Sequence, residues 1–259
     1  MLSKLIKYDL RYFYKMVGIL YLIIFALAVI ARLSAAFPDI FILTFIHDFS
    51  VTMAFGLAFG TIVNICTRVW LKYNFSFYGD EAYLTHTLPI QRRTIWTAKF
   101  LTSLILIATS LLVFLPCFLI IVIKPDTIKL TLSALSEHTE FWPLFFAAIC
   151  VLFCQTSFII QCGFLGITLG HRFRSHRALL TIIFGFLIYL FCESILVGFT
   201  LIWALINPNI MTLLIDGTIE NNLSYLTELL ISINVAYILF NAGCYIVNAK
   251  LLQHGIDVE

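Results

Sequence analysis

The sequence predicts an all-α, polytopic membrane protein with about six transmembrane helices. Of its 259 residues, 61% are hydrophobic and only 12% are charged, and the mean hydropathy is +1.01. Ordinary soluble domains are roughly half apolar and a quarter charged. The charges fall in short clusters between long apolar windows, each near the ~20 residues that a helix needs to cross a hydrocarbon core. No stretch remains for a soluble catalytic domain.

The first fifteen residues form a distinct unit and predict a short interfacial helix over residues 1–15. Apolar residues recur at helical spacing on one side, and basic residues occupy the other. The apolar side holds Leu2, Leu5, Ile6, Leu10 and Phe13, and the other side holds Lys4, Lys7, Tyr8 and Arg11. Such a helix is suited to lie in the headgroup layer, where anionic lipid attracts its basic side. A solvated start to the first span is the alternative.

Six apolar windows follow, and each predicts one transmembrane helix. Their approximate bounds are Met16–Ala35, Phe49–Cys66, Trp96–Ile123, Trp142–Gly170, Leu179–Leu205 and Leu229–Val247. Neither an internal repeat nor a low-complexity linker divides the chain, so residues 1–259 are predicted to form one membrane domain. Two pairs of glycines, Gly56 with Gly60 and Gly166 with Gly170, provide small faces that favour close helix approach.

The distribution of basic residues predicts the orientation of the spans. Thirteen of the sixteen Lys and Arg residues fall on the side of the N-terminus, and only Arg32, Lys124 and Lys129 fall on the other. The positive-inside rule places the basic side in the cytoplasm. With an even number of spans, both termini are then cytoplasmic. The net charge of only +2 gives no indication of nucleic-acid binding.

The loop between the second and third windows, over residues 75–95, is the most specific stretch of the chain. Gly79-Asp80-Glu81 is typical of a helix start, with acids where the helix dipole favours them. Pro89 marks a break, because the residue before a proline resists the helical region. Arg92 and Arg93 then open the next helix. The pattern predicts a short helix across the membrane face that is suited to dock on a soluble partner.

This DE-x-YLT-x-TLP segment, followed by basic residues and Lys99, resembles the first cytoplasmic loop of ABC-2-type transporter permeases, particularly those of Gram-positive bacteria. The basic amphipathic start and the six-span layout resemble theirs as well. In that family the loop helix is the coupling helix, which contacts a separate ATP-hydrolysing subunit. The resemblance implies that the contact residues are Asp80, Glu81, Tyr83, Leu84, Thr87, Leu88, Pro89, Arg92 and Arg93. A solvated loop whose charges only anchor the topology is the alternative.

The resemblance also implies the partners of the chain. They are a P-loop ABC ATPase, which would bind ATP and magnesium, a second permease subunit in a homo- or heterodimer, and the lipid of the cell membrane. The chain itself contains no Gly-Lys dipeptide and so no P-loop, and we expect it to need no cofactor and not to be an enzyme. Residues 206–228, with the apolar run Ile210–Ile215, resemble the re-entrant segment that often precedes the last span of such permeases.

A second basic loop lies between the fourth and fifth windows and carries Arg172, Arg174 and Arg177. The resemblance implies a smaller second contact for the ATPase. On the residues alone, the same loop is equally well explained as a positive-inside anchor.

Polar side chains inside the windows are the remaining candidates. Glu193 lies near the middle of the fifth window, where a carboxylate is costly and indicates a functional site. The alternative is that it is protonated, or that it makes a structural hydrogen bond to a partner such as Ser157 or Gln161. Gln155 and Gln161 are candidates for the same polar seam. The function predicted by the resemblance is export of an amphipathic peptide, lipid or drug. The alternatives are an ion-coupled secondary transporter, or an intramembrane enzyme or sensor, that uses Glu193.

Overall fold

The structure is a computed structural model that describes residues 2–37, 40–79, 82, 92–122, 141–173, 176–207 and 223–253. Its helices are α1 (Leu2–Ser34), α2 (Phe41–Tyr78), α3 (Arg92–Val122), α4 (Phe141–Gly170), α5 (Arg177–Ile206) and α6 (Leu223–Gln253). Within the described residues, these six helices are long and apolar enough to cross a membrane. The prediction of a helical, multi-pass membrane protein is confirmed.

The largest difference from the predicted windows is in α2, which extends well beyond both ends of Phe49–Cys66. At ~1.5 Å per residue its 38 residues span roughly 57 Å, against ~30 Å of hydrocarbon. Hydropathy ends a window at its first charges, but the buried side of the helix continues past Arg68 through Val69, Tyr73 and Phe77. Residues on one side of α2 therefore stay packed against protein after the sequence has become polar.

Residues 2–15 belong to α1 and continue into the first span without a break in the helix. Phe13 is buried, whereas Lys4, Lys7 and Arg11 are exposed. The sequence predicts a separate interfacial helix over residues 1–15, and the backbone has no boundary at its end. The location of this segment in the headgroup layer stays a prediction.

The chain divides into two compact units. The N-terminal unit comprises Met1–Val69 and Ala98–Glu137, and the C-terminal unit comprises Trp70–Thr97 and His138–Glu259. The single domain predicted over residues 1–259 stays a prediction.

In the N-terminal unit, α1 and α3 run parallel. Contacts between them advance together along both helices, from the Asp9–Lys99 ion pair at 2.8 Å to the Tyr21–Ser110 hydrogen bond at 2.8 Å. A small apolar cluster around Ala28 completes this interface. The ion pair is mostly removed from solvent, with side-chain exposures of 12% for Lys99 and 11% for Asp9.

In the C-terminal unit, α4 packs against both α5 and α6. Helices α4 and α5 are antiparallel and nearly touch at Gly166, where an added Cβ would lie 2.6 Å from the carbonyl oxygen of Thr181 and 2.7 Å from Gly185. The predicted close approach at the Gly166 and Gly170 pair is therefore confirmed. A Cβ at Gly56 or Gly60 would meet nothing within 4 Å, so that pair makes no close contact among the described residues.

Candidate functional site

A ladder of polar side chains joins α4 to α6 through the middle of the C-terminal unit. At its centre, the Nδ2 of Asn241 donates to the carbonyl oxygen of Cys154 at 3.0 Å and to that of Tyr237 at 2.8 Å. The Oδ1 of the same side chain accepts from Ser157 at 3.0 Å and from Gln161 at 3.1 Å. Gln161 also donates to the backbone carbonyl of Asn241 at 3.0 Å. An amide within a membrane span needs such partners, because hydrocarbon supplies none.

The ladder repeats every seven residues on α6. Asn234 donates to the carbonyl oxygen of Ala147 at 3.0 Å, and Asn248 accepts from Thr168 at 2.9 Å. Asn234, Asn241 and Asn248 therefore occupy one face, which meets α4 in parallel orientation. A seven-residue interval matches the packing of two helices at a small crossing angle. The asparagines thus hold α4 and α6 together over most of their length.

Glu193 belongs to a second polar cluster, which adjoins the ladder through Tyr237 of α6. Its Oε1 accepts a hydrogen bond from the hydroxyl of Tyr237 at 3.0 Å. Tyr189, one turn before Glu193 on α5, interacts with the Glu193 carboxyl and with the Gln155 amide. The rings of Tyr189 and Tyr237 flank Phe158, with centroid distances of 6.1 and 5.9 Å. The result is a half-buried carboxyl whose neighbours are the two tyrosines, Tyr189 and Tyr237.

The predicted coupling residues lie mainly within residues 80–91, which are called the coupling segment below. The described residues on either side of this segment are anchored in the C-terminal unit. Before it, Phe77 is buried and Tyr78 stacks on His171 with ring centroids 4.1 Å apart. After it, Trp96 is fully buried and packs against Tyr245 of α6 at 4.3 Å. Earlier in α2, Trp70 donates to the carbonyl oxygen of Ile160 at 3.0 Å and fills the space beside Gly163. Both borders of the segment therefore rest on aromatic contacts, one with the residue that follows α4 and one with α6.

The second basic loop begins at His171. It lies next to the start of that segment, because Tyr78 stacks on His171. Arg172 donates to the carbonyl oxygen of Leu251 at 3.3 Å, and Arg177 is exposed at the start of α5. Burial lowers the pKa of His171 below its ordinary value of 6.5. The hydrogen bond to the carbonyl of Ile167 raises the pKa in part, and the positive charge of Arg177 lowers it again. His171 is therefore neutral near pH 7.

Most of the predicted coupling residues fall outside the described part of the chain. These are Asp80, Glu81, Tyr83, Leu84, Thr87, Leu88 and Pro89, together with Arg174 of the second loop. Arg92 begins α3, and Arg93 is exposed beside it. Their role in coupling stays a prediction.

The structure divides the predicted intramembrane seam into two groups. Gln161 belongs to the asparagine ladder, whereas Gln155 belongs to the Glu193 cluster. Ser157 and Gln161, which the sequence suggested as partners of Glu193, instead bond to Asn241, and Glu193 bonds to Tyr237. The suggested pairing is wrong because it ignored the polar residues of α6.

Sequence reasoning missed two sets of residues for which a signal was present. The asparagines of α6 recur every seven residues, which indicates one continuous polar face in an otherwise apolar span. Asp9 falls on the apolar side of the first helical segment, a position where an acid indicates a buried partner. That partner is Lys99.

Within the described ranges, no group of three or more His, Cys, Asp or Glu side chains is arranged to hold a metal ion. Neither a protein-family model nor a curated protein nor a solved structure matches this chain.

Proposed function

We propose that the chain is the membrane-spanning permease subunit of an ATP-driven exporter, located in the cell membrane with both termini in the cytoplasm. A separate P-loop ATPase would bind ATP and magnesium, and a second permease subunit would complete the transporter. The support is the resemblance of residues 80–99 to the first cytoplasmic loop of ABC-2-type permeases, together with six helices long and apolar enough to span a membrane. The cargo would be an amphipathic peptide, a lipid or a drug-like molecule.

The observation that carries this proposal is the anchoring of the residues on both sides of the coupling segment. Tyr78 stacks on the residue that follows α4, and Trp96 packs against Tyr245 of α6. Because the asparagine ladder holds α4 to α6, these contacts lead to one packed group of helices. A displacement of the segment by a bound ATPase would therefore move those helices rather than be absorbed locally, as a rigid-body switch requires.

The second basic loop supports the same arrangement. The stack of Tyr78 on His171 brings the start of this loop next to the start of the coupling segment. Arg172 is held by Leu251 near the end of α6, so the loop is tied to α6 as well. We therefore expect an acidic surface on the docked ATPase to contact this loop as well, through Arg172 and Arg177.

Co-purification tests the proposal. The chain is expressed with its neighbouring genes, purified through its own tag in mild detergent, and examined for a P-loop ATPase. An assembly of two permease subunits with two ATPase subunits predicts a 1:1 ratio of the two proteins. We expect Glu81→Arg and Arg92→Glu to reduce the ATPase recovered, and Glu228→Arg, an exposed charge at the other end of α6, to leave it unchanged. Equal recovery with all three variants would refute the docking site.

The absence of any ATPase from the purified wild-type chain would refute the permease function. The alternative, an ion-coupled transporter, is favoured by one observation, the half-buried Glu193 in the middle of α5. That result would make it the leading function.

A further inference from the structure

Glu193 is a carboxyl group at membrane depth without a basic partner in the helices that surround it. It lies near the middle of the 30-residue helix α5. The basic residues of α4, α5 and α6 are Arg177, the first residue of α5, and Lys250, in the last turn of α6. Glu193 lies sixteen positions after Arg177 along the helix, which is roughly 24 Å. A carboxylate at that depth is costly unless a positive charge compensates it.

The groups that do surround Glu193 have the chemistry of a cation site. The hydroxyl of Tyr237 donates to its Oε1 at 3.0 Å, and Tyr189 interacts with the same carboxyl. The rings of Tyr237 and Phe158 are buried, whereas Tyr189, one turn from Glu193 on α5, is half-buried like Glu193 itself. An accessible aromatic ring face attracts positive charge, so a carboxylate beside Tyr189 is a suitable surrounding for an organic cation.

Access to the cluster is from the side of α5. Glu193 is half-buried rather than enclosed, and its neighbours Leu190, Phe191 and Ile195 expose apolar surface. A molecule that placed a positive group at Glu193 would therefore lay its remaining part along an apolar helix face. This combination fits an amphiphile with one cationic end, and it does not fit a small hydrated metal ion, which requires several oxygen ligands.

We propose that Glu193, Tyr189 and Tyr237 form an intramembrane binding site for a lipophilic organic cation. The inference rests on the proposed function in one respect, since it names the substrate class that an exporter of this kind would move. Binding itself requires no ATPase, so the site and the permease function fail in different experiments.

Binding of tetraphenylphosphonium to the full chain, purified in mild detergent, tests the site. Glu193→Gln removes the charge but keeps an oxygen that accepts from Tyr237, so we expect the protein to fold and to bind the cation at least about tenfold more weakly. Glu193→Asp, which keeps the charge on a shorter side chain, should bind with intermediate strength. Glu228→Gln is the matched control, because Glu228 is exposed near the start of α6, and it should bind like the wild type.

Three outcomes would overturn the site: no binding to the wild type, equal binding to Glu193→Gln, or equal binding of a neutral triaryl analogue of the same size. A melting temperature for each variant shows whether weaker binding reflects unfolding, and Glu193→Asp carries the test if Glu193→Gln does not fold. Cation binding that depends on Glu193 in a chain that co-purifies with no ATPase would support the site and refute the permease function. ATPase co-purification without cation binding would do the reverse.

Discussion

Replacing Asn241 by leucine removes the centre of the asparagine ladder and keeps a side chain that branches at the same atom. The asparagine side chain makes three hydrogen bonds to α4, with Cys154 at 3.0 Å, Ser157 at 3.0 Å and Gln161 at 3.1 Å. Hydrogen bonds between membrane helices contribute ~0.6 kcal/mol each on average, so their loss lowers the free energy of unfolding by about 2 kcal/mol. Ser157, which is 4% exposed, would also lose its acceptor on α6, which adds to the loss.

The assay is equilibrium unfolding in mixed detergent micelles, followed by tryptophan fluorescence. A loss of about 2 kcal/mol corresponds to roughly a 30-fold change in the folding equilibrium. Thr156→Val is the matched control, because the hydroxyl of Thr156 bonds to Leu152 of its own helix and makes no bond to α6. We expect that control to change stability by less than about 0.5 kcal/mol. The reasoning is refuted if Asn241→Leu costs no more than Thr156→Val.

Three further predictions follow from the packing and the charges. Gly166→Ala should lower stability by about 1–3 kcal/mol, because its Cβ would lie 2.6 Å from a carbonyl oxygen of α5. Gly56→Ala, whose Cβ would meet nothing within 4 Å, is the control and should be neutral or slightly stabilising in the same thermal melt. Equal effects of the two substitutions would contradict the close approach. Lys99→Met should lower the free energy of unfolding by about 3 kcal/mol, because it leaves the carboxylate of Asp9 buried without a partner. Adding Asp9→Asn should recover more than half of this loss. Additive effects in the double variant would show that the two residues do not interact. The pKa of His171 is lowered by burial, so the stability that the neutral ring contributes is present above its ordinary pKa of 6.5 and is lost as the pH falls through the lowered value. His171→Phe should therefore flatten the fall of the melting temperature between about pH 7.5 and 5.5, and parallel curves would contradict this.

The sequence was sufficient to predict the number and class of the helices, because bilayer thickness sets the length of an apolar span. It was insufficient for their ends. The sixth window was predicted as Leu229–Val247, but α6 covers Leu223–Gln253, because Asn248 and Leu252 stay buried beyond the point where hydropathy falls. Hydropathy measures the preference for lipid, whereas helix ends depend on contacts with other helices.

The candidate site was predictable by member but not by partner. Glu193, Gln155 and Gln161 are visible in the sequence because each interrupts an apolar window at a high cost. Their partners depend on the register between α4, α5 and α6, which are far apart along the chain. Asn241, for example, lies 80 residues from Gln161, and only the packing of α4 on α6 brings the two together.

The seven-residue interval of the asparagines restricts how α4 and α6 can slide past each other. A displacement of one to six residues would break the bonds of Asn234, Asn241 and Asn248 at the same time. A full shift of seven residues, roughly 10 Å, would be needed before the asparagines again faced equivalent positions. One of the three asparagines would then have moved past the last such position and lost its hydrogen bond to α4. The interface between α4 and α6 therefore has one stable register. During any working cycle, α4 and α6 must translate together, so that motion has to be sought at interfaces without such a repeat, such as the glycine contact between α4 and α5.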